Sequence, residues 1–270
     1  MSEPPATRAA AESFEASAAE YDEVLARNRE GARRLVAALP DGAYDEVLDV
    51  GCGTGFGTMA MLERFRVRRL VALDPSPAML ARLREKLAGI QGLEVRLHEA
   101  GVHDMPVEPA SFDAVISTMA FHWFPEKPRA MAAMAAALRP GGTLGLLTAG
   151  RGSDRELQEI MRGLDPPVPA AWNQVFDLIH RDEREIEDLV VAAGLEPIDV
   201  WSERRRRRVP AERFLGRIAA SSAHVSADLD PEAVARDWER LSEAVRAAEG
   251  PDGFETTFVK TFAVARRPLG

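Results

Sequence analysis

The chain has 270 residues, 46% of them hydrophobic and 29% charged, with a formal net charge of −9. That is the balance of an ordinary globular protein, and the length suits one compact α/β domain with an added subdomain. The acidic total gives no electrostatic reason to expect a nucleic-acid partner. A single cysteine, Cys52, excludes an intrachain disulfide and a Cys-rich metal site. No run approaches the roughly 18–20 apolar residues of a membrane span, and Glu12, Glu15, Glu20, Asp22 and Glu23 interrupt residues 1–30. A cytoplasmic protein with no membrane partner is the expectation.

Residues 1–12 are rich in Ala and Pro and are expected to be disordered. From Ser13 to Leu39, Phe14, Tyr21, Val24, Leu25, Leu35, Val36 and Leu39 recur near helical spacing, and Pro40-Asp41-Gly42 closes the helix with a turn. Short apolar runs then alternate with amphipathic stretches. Strands are expected at Val47–Val50, Arg69–Leu73, Leu93–His98, Phe112–Ser117 and Thr143–Thr148. Helices are expected from the loop Gly51–Gly57 to about Phe65, at Pro77–Leu87, and at Pro128–Leu138, the last closed by Pro140-Gly141-Gly142. This order predicts a doubly wound, mostly parallel sheet covered on both faces.

After Gly150 the pattern loosens. Residues 154–163 read as helix, Pro166–Pro169 as a stiff connector, Arg184–Ala193 as a helix ended by Gly194, and Leu195–Trp201 as a strand that can run on to Val209. Helices are expected near 210–221 and 231–249, then a last strand over Glu255–Ala265. The segments near 150–181 and 209–250 are long connections beside late strands and are expected to wall an acceptor pocket.

Val47-Leu48-Asp49-Val50-Gly51-Cys52-Gly53-Thr54-Gly55 is the strongest chemical signal. A buried strand runs into a loop with glycine at alternate positions, which lets backbone approach a ligand closely. The dinucleotide fingerprint fails, because its third glycine would fall at Phe56. Asp49 suits a cationic amino-acid ligand better than a pyrophosphate. Asp74 ends the next strand, 23 residues past Gly51, where a carboxylate can accept from both hydroxyls of a ribose. Pro75 and Pro77 stiffen the turn that follows, and Ser76 or Pro77 opens the next helix.

Asp49–Gly55, Asp74, Phe112-Asp113-Ala114-Val115 and Leu138-Arg139-Pro140-Gly141-Gly142 resemble the successive motifs of the class I S-adenosylmethionine (SAM)-dependent methyltransferases, over about residues 45–150. The resemblance implies a Rossmann-like sheet of seven strands with one antiparallel final strand. It implies SAM as cofactor and S-adenosylhomocysteine as product. It also implies that Gly51, Gly53 and Gly55 cradle the methionine part while Asp74 binds the ribose. Cys52, Pro75, Met79 and Thr118 join them as cofactor-binding candidates, with Tyr21 on a helical lid over residues 13–40. Many members carry an Asp five residues before the proline of the third-strand loop, against the adenine amino group. Here that position is Gly101, which leaves the backbone of Val102, beside His103, to reach the adenine.

Phe121-His122-Trp123 follows the fourth strand and resembles small-molecule methyltransferases that include the trans-aconitate enzymes. Phe14–Asp22 resembles the branch that methylates a malonyl group on an acyl carrier protein. The expected acceptor is a small molecule, a carboxylic acid or a natural-product intermediate. An acyl carrier protein and a SAM-binding protein without methyl transfer are the alternatives. His122 titrates in the range of a base, although a carboxylate acceptor needs none. Trp123 and Phe121 are substrate-side candidates, Trp123 with pocket wall or core as the alternative. Arg204–Arg208, five consecutive arginines, reads as a charged edge strand, as a surface for a carboxylate, phosphate or carrier protein, or as an RNA contact. His98, His180 and His224 show no metal-ligand spacing, and no metal is expected.

Overall fold

The computed structural model describes residues 26–169, 172, 180–222 and 230–269. The disorder expected over residues 1–12 and the first half of the expected lid lie outside them. Among the described residues no helix is long and apolar enough to cross a membrane.

Seven strands form one sheet in the order β3-β2-β1-β4-β5-β7-β6. They are β1 (Glu46–Val50), β2 (Arg69–Asp74), β3 (Glu94–Glu99), β4 (Phe112–Thr118), β5 (Leu138–Ala149), β6 (Glu196–Val209) and β7 (Phe254–Arg266). β1 to β5 run parallel, and β7 inserts antiparallel to both β5 and β6. The expected doubly wound α/β sheet with one antiparallel strand is the one observed. Val47 to Val50 are all buried, as befits a parallel strand covered on both faces.

Three helices cover one face: α1 (Ala26–Ala38), α2 (Phe56–Arg64) and α3 (Pro77–Leu87). Ser76 caps α3 by accepting the Met79 N–H at 3.2 Å, Pro77 occupies the first turn, and Met79, Leu80, Leu83 and Leu87 form its buried stripe. The described half of the expected lid is α1. Its Ala32, Leu35 and Val36 are buried with Leu147, Phe262 and Val264 of the sheet, so this part of α1 is a layer of the core, while Arg29 in its first turn lies over the Phe56 ring beside the glycine loop at 5.8 Å. Full burial of Leu35 alone contributes on the order of 1.5–3 kcal/mol.

On the opposite face lie α4 (Lys127–Ala137) and α6 (Glu183–Ala192). Asp182 and Glu185 form a reciprocal capping box at the start of α6. One expectation needs correction here. Pro140-Gly141-Gly142 does not separate a helix from a strand at Thr143, because β5 already begins at Leu138. Pairing jumps from Phe112–Leu138 to Ala114–Thr143. Pro140, which has no N–H to give to a ladder, therefore sits inside an irregularity of the strand.

The remaining helices, α5 (Arg155–Gly163), α7 (Ala211–Ser222) and α8 (Pro231–Ala247), belong to the two late insertions. They pack on one another. Leu157, Met161, Phe214, Leu215, Leu241 and Val245 form a third core separate from the two on the sheet. β6 carries all five arginines as the edge strand of the sheet, and its pairing with β7 persists to Val209.

Candidate cofactor crevice

β1 lies between β2 and β4, so strand order reverses at β1 and a crevice opens at the carboxyl ends of these strands. The glycine loop fills its floor. Gly51 and Cys52 donate their N–H groups to the Leu73 carbonyl at 2.8 and 3.0 Å, which folds the loop back onto β2. Gly51 (φ 69°) and Gly55 (φ 93°) adopt left-handed backbone that side chains rarely take. A Cβ on Gly51 would also lie 2.5 Å from the Ala120 Cβ, and one on Gly55 2.4 Å from Leu83 Cδ1. By contrast, a Cβ on Gly53 would meet nothing within 4 Å, so backbone faces open space there.

Two carboxylates flank the loop. Asp74 Oδ2 accepts the Gly53 N–H at 2.9 Å and Oδ1 accepts the Ser76 N–H at 3.0 Å. A carboxylate at this place, at the tip of β2 beside the glycine loop, is the group that would meet the hydroxyls of a ribose. Asp49 is fully buried in β1 and its Oδ2 accepts the Thr58 hydroxyl at 2.7 Å. Its Oδ1 is buried with no hydrogen-bond partner among the described residues. Burial pushes the Asp49 carboxyl up to about 7, the Thr58 hydrogen bonds opposing and the Asp74 charge adding to the rise. An unmatched buried acceptor of this kind calls for a donor. Together the orphaned Asp49 oxygen, the Asp74 carboxylate at the tip of β2 and the open backbone at Gly53 fit the ammonium and ribose of SAM.

The other cofactor candidates gather around this floor. Met79 is buried at the start of α3, and Pro75 is half-buried between Asp74 and the cap. Cys52 is buried in the core, and burial pushes its thiol well up, so it is inert packing with only its backbone at the loop. Thr118 ends β4, and its Oγ1 would stand 2.9 Å from a Cβ on Gly57. The loop after β3 is pinned beside Asp74, because Ala100 N–H donates to the Asp74 carbonyl at 3.3 Å. Gly101 is half-exposed and Val102 buried. His103 Nε2 lies 3.0 Å from the Pro125 carbonyl, which can only accept. The Nε2 proton is thereby assigned, and Nδ1 is left as an acceptor, buried and without a partner among the described residues. Tyr21 lies outside the described residues.

Residues 119–124 cross the other wall. Met119 takes φ 57°, an uncommon left-handed conformation outside glycine, at the end of β4. Phe124 reaches within 3.2 Å of where a Gly51 Cβ would be, a contact the sequence reading missed although Phe124 adjoins the aromatic run. Phe121 is corrected from substrate contact to core: it is fully buried with Ala130, Met131 and Met134, edge-on to Phe124. Trp123 is half-buried, its ring 4.9 Å from that of His122.

His122 is buried, and its Nδ1 accepts the Ala149 N–H at 3.4 Å and faces the Thr148 hydroxyl at 3.3 Å. The proton therefore belongs on Nε2. Burial pushes the imidazole well below its ordinary range, with His180 and Lys127 adding to the effect. His180, ring centroid 6.3 Å away, is pushed down to about 4 for the same chief reason. Lys127 donates to the carbonyls of His122 and Phe124 at 3.1 and 3.3 Å, and burial lowers its ammonium to about 8. His122 is thus a fixed, neutral imidazole whose lone pair is already engaged.

Residues 47–142 match a family model described as a methyltransferase domain. The malonyl-(acyl-carrier protein) O-methyltransferase of Pectobacterium atrosepticum is 33% identical over 70% of this chain and 68% of its own length. The chain belongs to the class I SAM-dependent methyltransferases. Another methyltransferase of that name, from Halorhodospira halophila, is 33% identical over 69% of the chain, a match spanning 61% of the relative, less than two thirds of its length. The trans-aconitate 2-methyltransferase of Deinococcus radiodurans is 41% identical over 42% of the chain and 41% of its own length. Among solved structures, a phosphoethanolamine N-methyltransferase of Haemonchus contortus superposes with a TM-score of 0.57 at 17% identity. That match covers 94% of this chain and 58% of the other, and shows the methyltransferase fold.

Proposed function

We propose that this chain transfers the methyl group of SAM to a carboxylate of a small organic acid, leaving S-adenosylhomocysteine. The observation that carries the reading is the pair Asp49 and Asp74 flanking the glycine loop at the switch point of the sheet. When bound, SAM supplies a methyl group already activated on a sulfonium, so the protein has chiefly to hold the acceptor in line and exclude water. Asp49 and Asp74 hold the cofactor through its ammonium and ribose, and the Gly53 backbone lies along it.

His122 favours a carboxylate over a phenol or alcohol. A carboxylate is already the nucleophile at neutral pH and asks for no base. An imidazole whose Nδ1 accepts the Ala149 N–H has no lone pair to take a proton from an acceptor. In this reading His122 is a positioning residue that fixes the segment 119–124, and Trp123 borders the acceptor.

A carrier-protein acceptor is the second reading, favoured by the names of the relatives. One of them, from Marinomonas, aligns over 97% of the chain at 25% identity. Incubation with methyl-labelled SAM, organic acids and a malonyl carrier protein tests both. Base-labile methyl esters on a free acid, abolished by Asp74→Ala, support the first reading. Label confined to the carrier protein replaces it with the second. Tight binding of S-adenosylhomocysteine with no transfer to either overturns both.

A further inference from the structure

The β6–β7 hairpin continues past the point where β5 stops. Ala149, the last residue of β5, pairs with Lys260, and from there β6 and β7 pair alone as far as Val209 and Phe254. Glu203, Arg205 and Arg207 share one face of β6, opposite Lys260, Phe258 and Thr256 of β7. With α1 and α7 these side chains line an open cleft. Six cationic groups line it: Arg34, Arg205, Arg207, Arg213, Arg217 and Lys260. Among the described residues only three acids do so, in a chain whose total charge is −9.

Each of the three acids has an arginine. Glu203 pairs with Arg34, Glu30 with Arg205 through two nitrogens at 3.0 and 3.2 Å, and Asp154 with Arg217 at 2.6 Å. These pairs fix the walls and consume their own charge. Arg207 and Arg213 differ from them: among the described residues neither has a hydrogen bond or ion pair. They approach the cleft from different elements, Arg207 on the hairpin and Arg213 on α7. Two guanidiniums on rigid elements present two separate forks, which suits two carboxylates on one small skeleton better than a single anion. Phe258, which is partly exposed, supplies apolar surface for the carbon chain between them.

Leu147 and Phe262, which lie between Thr118 and Lys260 across β5 and β7, are fully buried under α1, so the cleft stands apart from the crevice.

We propose that this cleft binds a small polycarboxylate, a di- or tricarboxylic acid, through Arg207 and Arg213. The anion site goes beyond the methyltransferase reading and stands independently of it. Charge decides the ligand class: a monocarboxylate satisfies one fork and leaves the other unpaired.

The test is calorimetric titration of propane-1,2,3-tricarboxylate into the full chain saturated with S-adenosylhomocysteine at pH 7.5. Acetate and inorganic phosphate serve as comparison anions. The expected result is tricarboxylate binding that weakens about tenfold in each of Arg207→Gln and Arg213→Gln. It should stay unchanged in Arg206→Gln, whose side chain lies on the opposite face of β6, and acetate and phosphate should bind at least tenfold more weakly. Tricarboxylate binding that is absent, equal in all three variants, or matched by phosphate overturns the proposal. S-adenosylhomocysteine binding by the same preparations reports that the variants are folded. Its failure in the wild type removes the methyltransferase reading and leaves the tricarboxylate titration, run alone, to decide the anion site.

Discussion

Arg217 holds Asp154 with both terminal nitrogens of its guanidinium, Nη2 to Oδ1 at 2.6 Å and Nη1 to Oδ2 at 3.1 Å. The pair ties α7 to the turn that follows β5, and Thr256 of β7 donates its hydroxyl to the same carboxylate at 3.1 Å. Both side chains are largely buried, 16% and 6% exposed. Removing one partner of such a pair leaves the other charge uncompensated. We therefore expect Asp154→Ala to cost about 3 kcal/mol, read as a lowered urea midpoint. A loss within 0.5 kcal/mol would mean that solvent reaches and satisfies Arg217.

The buried Asp49 carboxyl makes stability depend on pH. Its folded value of about 7 lies above its ordinary value of 3.8, so the native state keeps this proton when the unfolded chain has lost it. The contribution to stability therefore falls as pH rises between those two values and is level above them. Asp49→Asn should flatten that slope in the ligand-free protein and raise stability at pH 8 by about 2–4 kcal/mol. It should also weaken S-adenosylhomocysteine binding. Urea titrations at pH 5 and pH 8 check the first claim, and an unchanged slope in the variant rules it out.

Asp74 holds the Gly53 and Ser76 N–H groups, so its loss disturbs the loop as well as the expected ribose contact. Asp74→Ala should weaken S-adenosylhomocysteine about a hundredfold, and Asp74→Asn about tenfold. Equal small losses in both would place the ribose elsewhere.

His103 is held by Pro125 with Nδ1 turned into an acceptor. A donor on the adenine edge matches it where Gly101 offers no side chain. His103→Ala should weaken S-adenosylhomocysteine about tenfold and erase preference over the analogue carrying an oxo group in place of the adenine amino group. Retained preference in the variant refutes this contact.

For His122 the expected outcome is a small effect. With a carboxylate acceptor, His122→Gln should keep kcat within about tenfold, because the side chain positions a segment and transfers no proton. The wild-type kcat profile at saturating SAM, where the Asp49 carboxylate is engaged by the cofactor, should show no limb near the ordinary imidazole value of 6.5, since burial holds His122 well below it. A limb near that value that disappears in His122→Gln would make His122 a base.

Much of the sheet was legible because it obeys local rules. α3 has the predicted bounds, with Ser76 and Pro77 marking its start and its apolar residues at helical spacing. β1, β2 and β4 are apolar runs that only a buried strand explains. The misreadings have physical causes. Pro140-Gly141-Gly142 carries the composition of a stop signal, and only pairing with β4 shows it to be an irregularity within β5. For α1, amphipathic spacing tells that a face is buried but not against what, and its contact with Leu147, Phe262 and Val264 had to come from the structure. Phe121 and His122 look alike in sequence as pocket residues, and the way α4 packs decides that Phe121 is core. The third core joins segments about 50 residues apart, which no local pattern can announce.

The arginine run has a further consequence for folding. In a strand, a slip of one residue exchanges the two faces, so a mixed sequence loses its chemistry when it slips. Here Arg204, Arg206 and Arg208 would replace Arg205 and Arg207 on the cleft face, and the local charge would survive. A homopolymeric stretch cannot therefore select its own alignment. That choice falls to Trp201, whose ring stacks on Phe262 with centroids 4.7 Å apart and planes 3° from parallel. The hairpin is aligned from its root, where one aromatic pair sets which arginines face inward nearly twenty ångströms further along, by the rise of about 3.4 Å per residue.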